Sequence, residues 1–525
     1  MTVGQPILAG SPLGRLSGGA CESRMKGGLQ VRLPAPRWRL TPHTERVPRK
    51  IPRLLWVVLP LAYLVYFHDL SATGLLGPDE PRYASIAREM ARSGDWITPR
   101  LWGAPWFEKP ALLYWMSGLG FRLGLGSELA PRLPGALLAV GFLAFYWWTL
   151  RREFGGRAAW LASLILGSSG MWVAYSQNGV TDLPLTATFS AAMLLVLPWV
   201  ARRDTRQLPA AAAMFGFAVL AKGLVPLALA APLLMGRHVR DWLRWRVVAP
   251  FLLVALPWYA LCYWRNGWTF IHEFFVVQHF SRVTSGALMH GRPVWFYLPV
   301  LVVGLLPWTP LLGLAARRRI LRDSRRVFLA VWVLAVLVLF SISINKLPGY
   351  ILPLLPAAAA LMALALDEAA DARAWLAVCA LLLVAFPITA QVLPAAVLNG
   401  LSRAPHPAFQ AVWLAAVAVA LGAWLLEARG KRVAAVLAVA AGAAVGMAYL
   451  KTVATPELDR HVSARGLWRE IGGRAGEICI GSVKRDWRYG LNYYSVTPLP
   501  DCEKQPKALQ VLPSPGGGAR LESVP

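Results

Sequence analysis

VFLAVWVLAVLVLFSISI, residues 327–344, is an apolar run of eighteen residues without one ionisable side chain. As an α-helix it would be about 27 Å long at 1.5 Å per residue, close to the roughly 30 Å hydrocarbon core of a bilayer. Its flanks differ. RDSRR at 322–326 precedes it and Asn345-Lys346 follows it. Lys and Arg are retained on the cytoplasmic side of a membrane, so the run enters from the inside and leaves at Asn345.

The same pattern recurs along the chain. Runs free of Lys, Arg, Asp and Glu lie at 54–68, 133–150, 158–176, 184–200, 247–262, 295–314, 350–366, 374–394, 408–426 and 433–450. Two shorter ones, 209–221 and 224–235, flank Lys222-Gly223. The composition agrees: 525 residues are 56% hydrophobic and only 15% charged, against about 25% charged in a soluble domain. The net charge of +27 has no polar surface on which a nucleic-acid footprint would sit, so no nucleic acid is expected as a partner. The 24 Trp exclude disorder as the global state, and five Cys exclude a disulfide-built scaffold. An α-helical polytopic membrane protein with about thirteen transmembrane helices remains.

Charge placement orients it. With thirteen crossings, the N-terminus is inside and the C-terminus outside. Six inner loops then hold 20 Lys+Arg in 51 residues, and the outer loops before residue 451 hold 13 in about 123. One inner loop, DEAADAR at 367–373, is acidic, but Asp and Glu weigh little in orientation. ARRDTRQ and GRHVRDWLRWR, on either side of 209–235, are both basic. The chain therefore forms a hairpin there, with Lys222 at the outer turn. PALLYWMSGLGFRLGLG at 110–126 cannot also cross, and reads as an interfacial helix with Tyr114 and Trp115 at headgroup level. Three regions follow: a disordered basic cytoplasmic tail at 1–53, a membrane domain at 54–450, and a small external α/β domain at 451–525. The tail is not expected to be a signal peptide, because its first apolar run begins too late. In the external domain LWREIGG (467–473) has helical spacing, ICIGSV (478–483) and ALQVL (508–512) read as strands, and PSPGGGAR (513–520) reads as loop.

Ionisable residues at mid-membrane, the mark of many coupled transporters, are missing from these runs. Charge of both signs collects instead in the outer loop 69–132, with seven Lys+Arg and seven Asp+Glu. Loops of this length are usually functional. Its densest part is GPDEPRYASIAREMARSGDW, 77–96. Pro81 suits a helix start, and Asp79 and Glu80 beside it suit the positive end of the helix dipole. Asp79, Arg82, Tyr83 and Ile86 share one face. WFEKP, with Glu108 and Lys109, comes next. Capping and i,i+4 pairing explain the cluster as well as chemistry does at this level. Asp182 stands alone at the end of the third run, where helix capping before Pro184 competes with a role in a cavity.

GPDEPRYASIAREMARSGDWITPRLWGAPWFEKPALLYW, 77–115, closely resembles the first outer loop of a bacterial family of integral-membrane glycosyltransferases. These are the aminoarabinose lipid A transferases and their relatives, within the GT-C superfamily of dolichyl-phosphate-mannose protein mannosyltransferases. The resemblance continues through RREFGGRAAWLASLIL (151–166), VTDLPLT (180–186), FAVLAKGLVPLAL (217–229), GRPVWFYLPVLVVGLLPW (291–308) and NKLPGYILPLLPA (345–357). It implies a GT-C-like fold with periplasmic juxtamembrane helices in the bacterial inner membrane. It also implies a sugar donor carried on a polyprenyl phosphate, and a lipid, glycan or protein acceptor such as lipid A. Asp79 matches the proposed catalytic carboxylate and Lys109 a phosphate-contacting lysine. Glu80, Arg82, Tyr83, Glu108, Asp182, Lys222, Lys346 and Tyr350 are expected around the donor phosphate. A helix N-terminus favours ionised Asp79, so positioning and electrostatics are expected of it more than strong proton abstraction. Relatives bind a divalent metal near the match to Glu108, with a histidine from the loop 263–294. Neither His279 nor His290 is singled out, and no ligand set or cofactor is assigned.

Cys479 and Cys502 are the only cysteines on the outer side, an oxidising compartment, and are the expected disulfide. Two unpaired core thiols are the alternative. The competing function is a non-enzymatic flippase or transporter of polyprenyl-linked sugar, which predicts a polar path with midplane charges. A surface-glycan polymerase or ligase would share the topology but not the DEPRY and FEKP pair.

Overall fold

The computed structural model describes residues 54–230, 233, 238–281, 291–316, 323–515 and 517–523. The basic tail 1–53 lies outside the described residues.

The first half comprises helices α1 (Leu55–Tyr66), α2 (Asp79–Ser93), α3 (Leu112–Arg122), α4 (Leu129–Phe154), α5 (Gly156–Gly167), α6 (Gly170–Ser176), α7 (Asp182–Leu195), α8 (Leu197–Arg202) and α9 (Leu208–Lys222). Among the described residues eight helices are long and apolar enough to cross a bilayer, and α5 with α6 makes a ninth, bent by 64°. The bend falls at Ser168-Ser169, whose hydroxyls donate to the carbonyls of Leu164 and Ile165, a back-bonding that bends helices. Other expected spans are shorter pieces. Pro307 and Pro310 divide 295–314 into helices Tyr297–Gly304 and Leu311–Ala315, since proline removes a donor and crowds the preceding turn. The run 224–235 is described as a short helix, Val225–Leu229, with much of the remainder outside the described residues.

Two elements form the centre. In α7–α8 94% of the apolar window is buried and in Pro348–Glu368 89%, against 22% for Ser324–Ile342. A helix apolar on every side belongs inside, one with an outward apolar face belongs at the lipid boundary. Phe189 of α7 meets Phe215 and Trp332 edge-on at 5.9 and 5.8 Å. Leu253, Trp264, Trp268, Leu334 and Leu421 point outward from the peripheral helices. At the C-terminal ends of α4 and α8 Glu153 takes Arg202 through two 3.0 Å bonds. The acidic loop that ran against the charge rule supplies Asp367 to Arg157 and Glu368 to Arg326. Its carboxylates neutralise neighbouring arginines.

The outer loop is a compact layer. α2 ends at Gly94, which takes φ 73°. A hairpin follows, β1 (Arg100–Leu101) against β2 (Ala104–Pro105), around Trp102-Gly103 at φ 55° and 83°. α3 lies against α2, with Tyr83 and Tyr114 edge-on at 6.0 Å. A Cβ on Gly118 would come within 3.1 Å of the Trp96 ring, and one on Gly120 within 2.7 Å of the Ala130 carbonyl. The glycines of α3 thus permit close packing. Tyr114, expected at headgroup level, is fully buried beneath α2, because that packing covers it.

Helix Arg432–His461 runs through the expected boundary at 450. Beyond it a three-stranded sheet has β3 (Ile478–Ile480) parallel to β4 (Leu509–Pro513) and β4 antiparallel to β5 (Ala519–Ser523). β5 takes the end of PSPGGGAR, which the sequence assigned to loop. Helices Ala464–Ile471 and Arg485–Ser495 bury Leu467, Ile471, Trp487 and Leu491 against Ile478, Ile480 and Val511. Cys479 and Cys502 are disulfide-bonded. This region is fastened to the outer loop. Tyr494 Oη accepts from Leu75 N (3.1 Å), Tyr493 Oη donates to the Ser127 carbonyl (2.6 Å), and Asp459 Oδ1 accepts from Gly74 N (2.8 Å).

Candidate functional site

The face of α2 expected from sequence is present, and the structure sorts its acids. Asp79 and Glu80 occupy the first turn. Successive helical residues point about 100° apart, so the two carboxylates part company. Glu80 turns inward to Arg132 of α4, with Nε–Oε1 2.7 Å and Nη2–Oε2 2.8 Å. It also accepts from Leu76 N (2.9 Å) and Gly179 N (3.0 Å). The remaining donors of Arg132 reach the carbonyls of Leu70, Thr73 and Gly74 at 2.7–3.1 Å. Every acceptor direction of Glu80 is committed to this buried node. The structure therefore places Glu80 in the scaffold rather than among phosphate-facing groups.

Asp79 remains accessible, with 45% of its side chain exposed, against 4% for Glu108. Arg82 lies between them, 2.5 Å from Asp79 Oδ1 and 3.1 Å from Glu108 Oε2. Burial disfavours its charge, but Glu108, with Tyr83 and Asp79, more than offsets this and raises its pKa. The guanidinium is sandwiched between the rings of Tyr83 and Tyr489, 5.3 Å from each centroid, and Trp102 stacks on Tyr489 at 5.7 Å. Burial, reinforced by Glu108 and Asp79, raises the phenols of Tyr83 and Tyr114, which therefore stay protonated. Arg82 Nε and the Tyr114 hydroxyl are buried without a hydrogen-bond partner among the described residues. Lys109 Nζ sits 3.5 Å from Glu108 Oε1, and Trp106 Nε1 donates to Glu108 Oε2 at 3.3 Å. Glu108 thus anchors both cations.

A second charged pair comes from deeper elements. α9 ends at Lys222, where Gly223 takes φ 66°, and an ammonium suits a helix C-terminus. Lys222 Nζ is 2.7 Å from Oδ1 of Asp182 in the first turn of α7, and lies 4.9 Å from the Tyr350 ring centroid. Asp79 also adds to the field on Lys222, less than Asp182 and Tyr350 do, so the two clusters are neighbours. Gly349 makes this junction fit: a Cβ there would lie 2.6 Å from the Tyr175 hydroxyl and 2.8 Å from Asp182 Oδ1. Tyr175 also lines an apolar cavity of about 670 Å³ with Met171, Val300, Leu306, Phe386 and Met447. Lys346 is drawn elsewhere. Its ammonium donates to the backbone carbonyls of Arg292 (3.1 Å) and Ser343, and among the described residues it serves backbone acceptors.

For a metal, Glu108 is the implied ligand, and it is already paired with Arg82 and Lys109. Among the described residues no three His, Cys, Asp or Glu side chains gather to hold an ion. His290 and the His279 side chain lie outside the described residues. Sequence reading missed Arg132, Tyr489 and Tyr175. Arg132 abuts an apolar run and its charge was the available signal. Tyr489 lies in RDWRYGLNYYS, whose apolar residues at i, i+4 and i+6 carry no chemistry of their own.

Residues 108–264 match the family model described as dolichyl-phosphate-mannose-protein mannosyltransferase. An undecaprenyl phosphate-α-4-amino-4-deoxy-L-arabinose arabinosyl transferase of Pseudomonas aeruginosa is 36% identical over 335 residues, covering 60% of this chain and 60% of its own length. A protein of the same name from Edwardsiella ictaluri is 33% identical over 337 residues, covering 59% of this chain and 58% of its own. The matches span about three fifths of these curated relatives. The crystal structure of ArnT from Cupriavidus metallidurans bound to undecaprenyl phosphate superimposes with a TM-score of 0.66 at 30% identity, over 87% of this chain and 92% of that one. This multi-pass membrane protein belongs to the ArnT-like family.

Proposed function

We propose that the protein is a glycosyltransferase that moves a sugar from a polyprenyl-phosphate carrier to lipid A, or to another lipid, glycan or protein, at the periplasmic face of the inner membrane. The observation that carries this reading is the accessible Asp79 carboxylate held on Arg82, with Lys109 in the same cluster and Lys222 in the neighbouring one. In the transfer the bond between the sugar anomeric carbon and the phosphate oxygen breaks, and a bond from that carbon to an acceptor oxygen forms. The leaving group is a polyprenyl phosphate whose bridging oxygen gains negative charge. Lys109, Lys222 and Arg82 meet that charge, an effect that grows toward the transition state. Asp79 orients the incoming oxygen. A hydroxyl acceptor passes its proton to Asp79, whereas an ionised phosphate acceptor has none to pass. Glu108 and Asp182 hold the cations, and Tyr83 and Tyr350 flank them. The 670 Å³ apolar cavity beside Tyr175 suits a lipid chain.

Thirteen crossings, with the N-terminus cytoplasmic and the C-terminus periplasmic, complete the proposal. The eight long helices, the bent pair and the three shorter apolar helices, with the segment starting at Val225, support this reading if each crosses once. Mass spectrometry of lipid A, surface glycans and periplasmic proteins from a deletion strain and its complement tests the function. Loss of a sugar from one fraction, restored by the complement, is expected. Unchanged fractions under normal expression would overturn it.

A further inference from the structure

The face of α2 next to that of Asp79 and Arg82 carries a second cluster. Ser85, Arg88, Glu89 and Arg92 follow one another at i, i+3, i+4 and i+7 and therefore share a side of the helix. They line a cleft of about 480 Å³, closed by Trp102-Gly103 of the hairpin and by Val496, Thr497 and Pro498 beyond helix Arg485–Ser495. Arg88 is held in place: Nη2 donates to the Tyr493 carbonyl at 2.6 Å, and the guanidinium lies 4.2 Å from the Tyr493 ring centroid. Arg92 is close enough that, after burial, its like charge disfavours that of Arg88, against an opposing contribution from Tyr493. Among the described residues neither arginine has a carboxylate at ion-pair distance. Glu89, the one acid in the lining, instead accepts from Gly103 N at 2.9 Å.

Arg88 is half-buried and Arg92 open to solvent, so an anion entering from solvent can meet both charges in one cleft. The walls carry a further mark. Val496 holds left-handed backbone, at φ 69°. Such conformations are outliers for bulky side chains, and they concentrate where a fold clamps a ligand.

We propose that this cleft is an anion site for a phosphate group, bound by Arg88 and Arg92 and separate from the transfer site. Guanidinium forks match phosphate oxygens through paired hydrogen bonds. Both a lipid headgroup and a soluble phosphate present that chemistry. The cleft adjoins the site through one stack: Trp102 lies on Tyr489, and Tyr489 lies on Arg82. An occupant touching Trp102 therefore also steadies the residue that holds Asp79.

The test uses the full chain in phosphatidylcholine nanodiscs, titrated by calorimetry with inorganic pyrophosphate in one arm and dihexanoyl phosphatidic acid in the other. Arg92→Gln is the first variant, because Arg92 is exposed and makes no hydrogen bond that the fold needs. Arg88→Lys with Arg92→Gln is the second, keeping a donor for Tyr493. Saturable binding of at least one probe is expected, weakened by about tenfold or more in both variants, as for loss of a charge-assisted hydrogen bond, and retained in Lys109→Gln. Tighter binding of the phosphatidic acid identifies a lipid ligand, and tighter binding of pyrophosphate a soluble one. Absence of saturable binding of either probe, equal binding by wild type and variants, or loss in Lys109→Gln alone would each overturn the proposal.

Discussion

Asp79 and Glu80 are chain neighbours with opposite surroundings, and single substitutions separate them. Asp79→Ala should lower transfer by about 10²–10³-fold, the cost of removing one oriented electrostatic group, with unchanged thermal unfolding. Asp79→Asn should retain part of the activity if orientation outweighs charge. Wild-type turnover in Asp79→Ala would remove this residue from the site. Glu80→Gln should act on the fold instead, because it leaves the Arg132 guanidinium buried without its counter-charge. Losses from such broken pairs are about 3–5 kcal/mol, read as a lower unfolding temperature in detergent. An unaltered temperature would mean that the carbonyls of Leu70, Thr73 and Gly74 suffice for Arg132.

Individual elements show what a linear pattern carries. Apolar runs and the charge of their flanks make the long helices legible, and the 79/82/83/86 face was readable because helix periodicity is local. The breaks at Ser168-Ser169 and the covering of Tyr114 were not, since they depend on what packs alongside. Glu80 and Lys346 show the same limit: charge type was visible, and the partner that captures it was not. The turn at Gly349 gives a sharp test. Gly349→Ala places a methyl against Tyr175 and Asp182, which must displace the carboxylate from Lys222. A shift near 1 Å in a reacting site costs about 10²-fold, so transfer should fall by that order with normal expression. Equal activity would show that the Asp182–Lys222 pair is dispensable.

Across the whole molecule the C-terminal region acts as a fastening. Tyr493 and Tyr494 of its helix Arg485–Ser495 bond the start and end of the outer loop, and Tyr489 of the same helix reaches Arg82. The disulfide joins residues separated by 23 positions, a loop for which closure contributes about 2–4 kcal/mol. Cys479→Ser with Cys502→Ser should therefore lower the unfolding temperature and open residues 69–132 to protease, with transfer falling in parallel. Loss of the bond with an intact, protected loop would show that the tyrosine contacts alone fasten it. This coupling was illegible because the segments concerned lie more than 360 residues apart.

The Glu80–Arg132 node also imposes an order on biogenesis. Arg132 begins a membrane helix, where an unpaired guanidinium burdens insertion. Its counter-charge comes from the loop translated before it, and the node closes only when Gly179 has been delivered from the next outer turn. Ribosome-bound chains ending near residue 170 should therefore expose the loop to external protease. Chains long enough to place Gly179 beyond the translocon should begin to protect the stretch around Glu80 and Arg132, with the rest of the loop cleaved until the C-terminal region arrives.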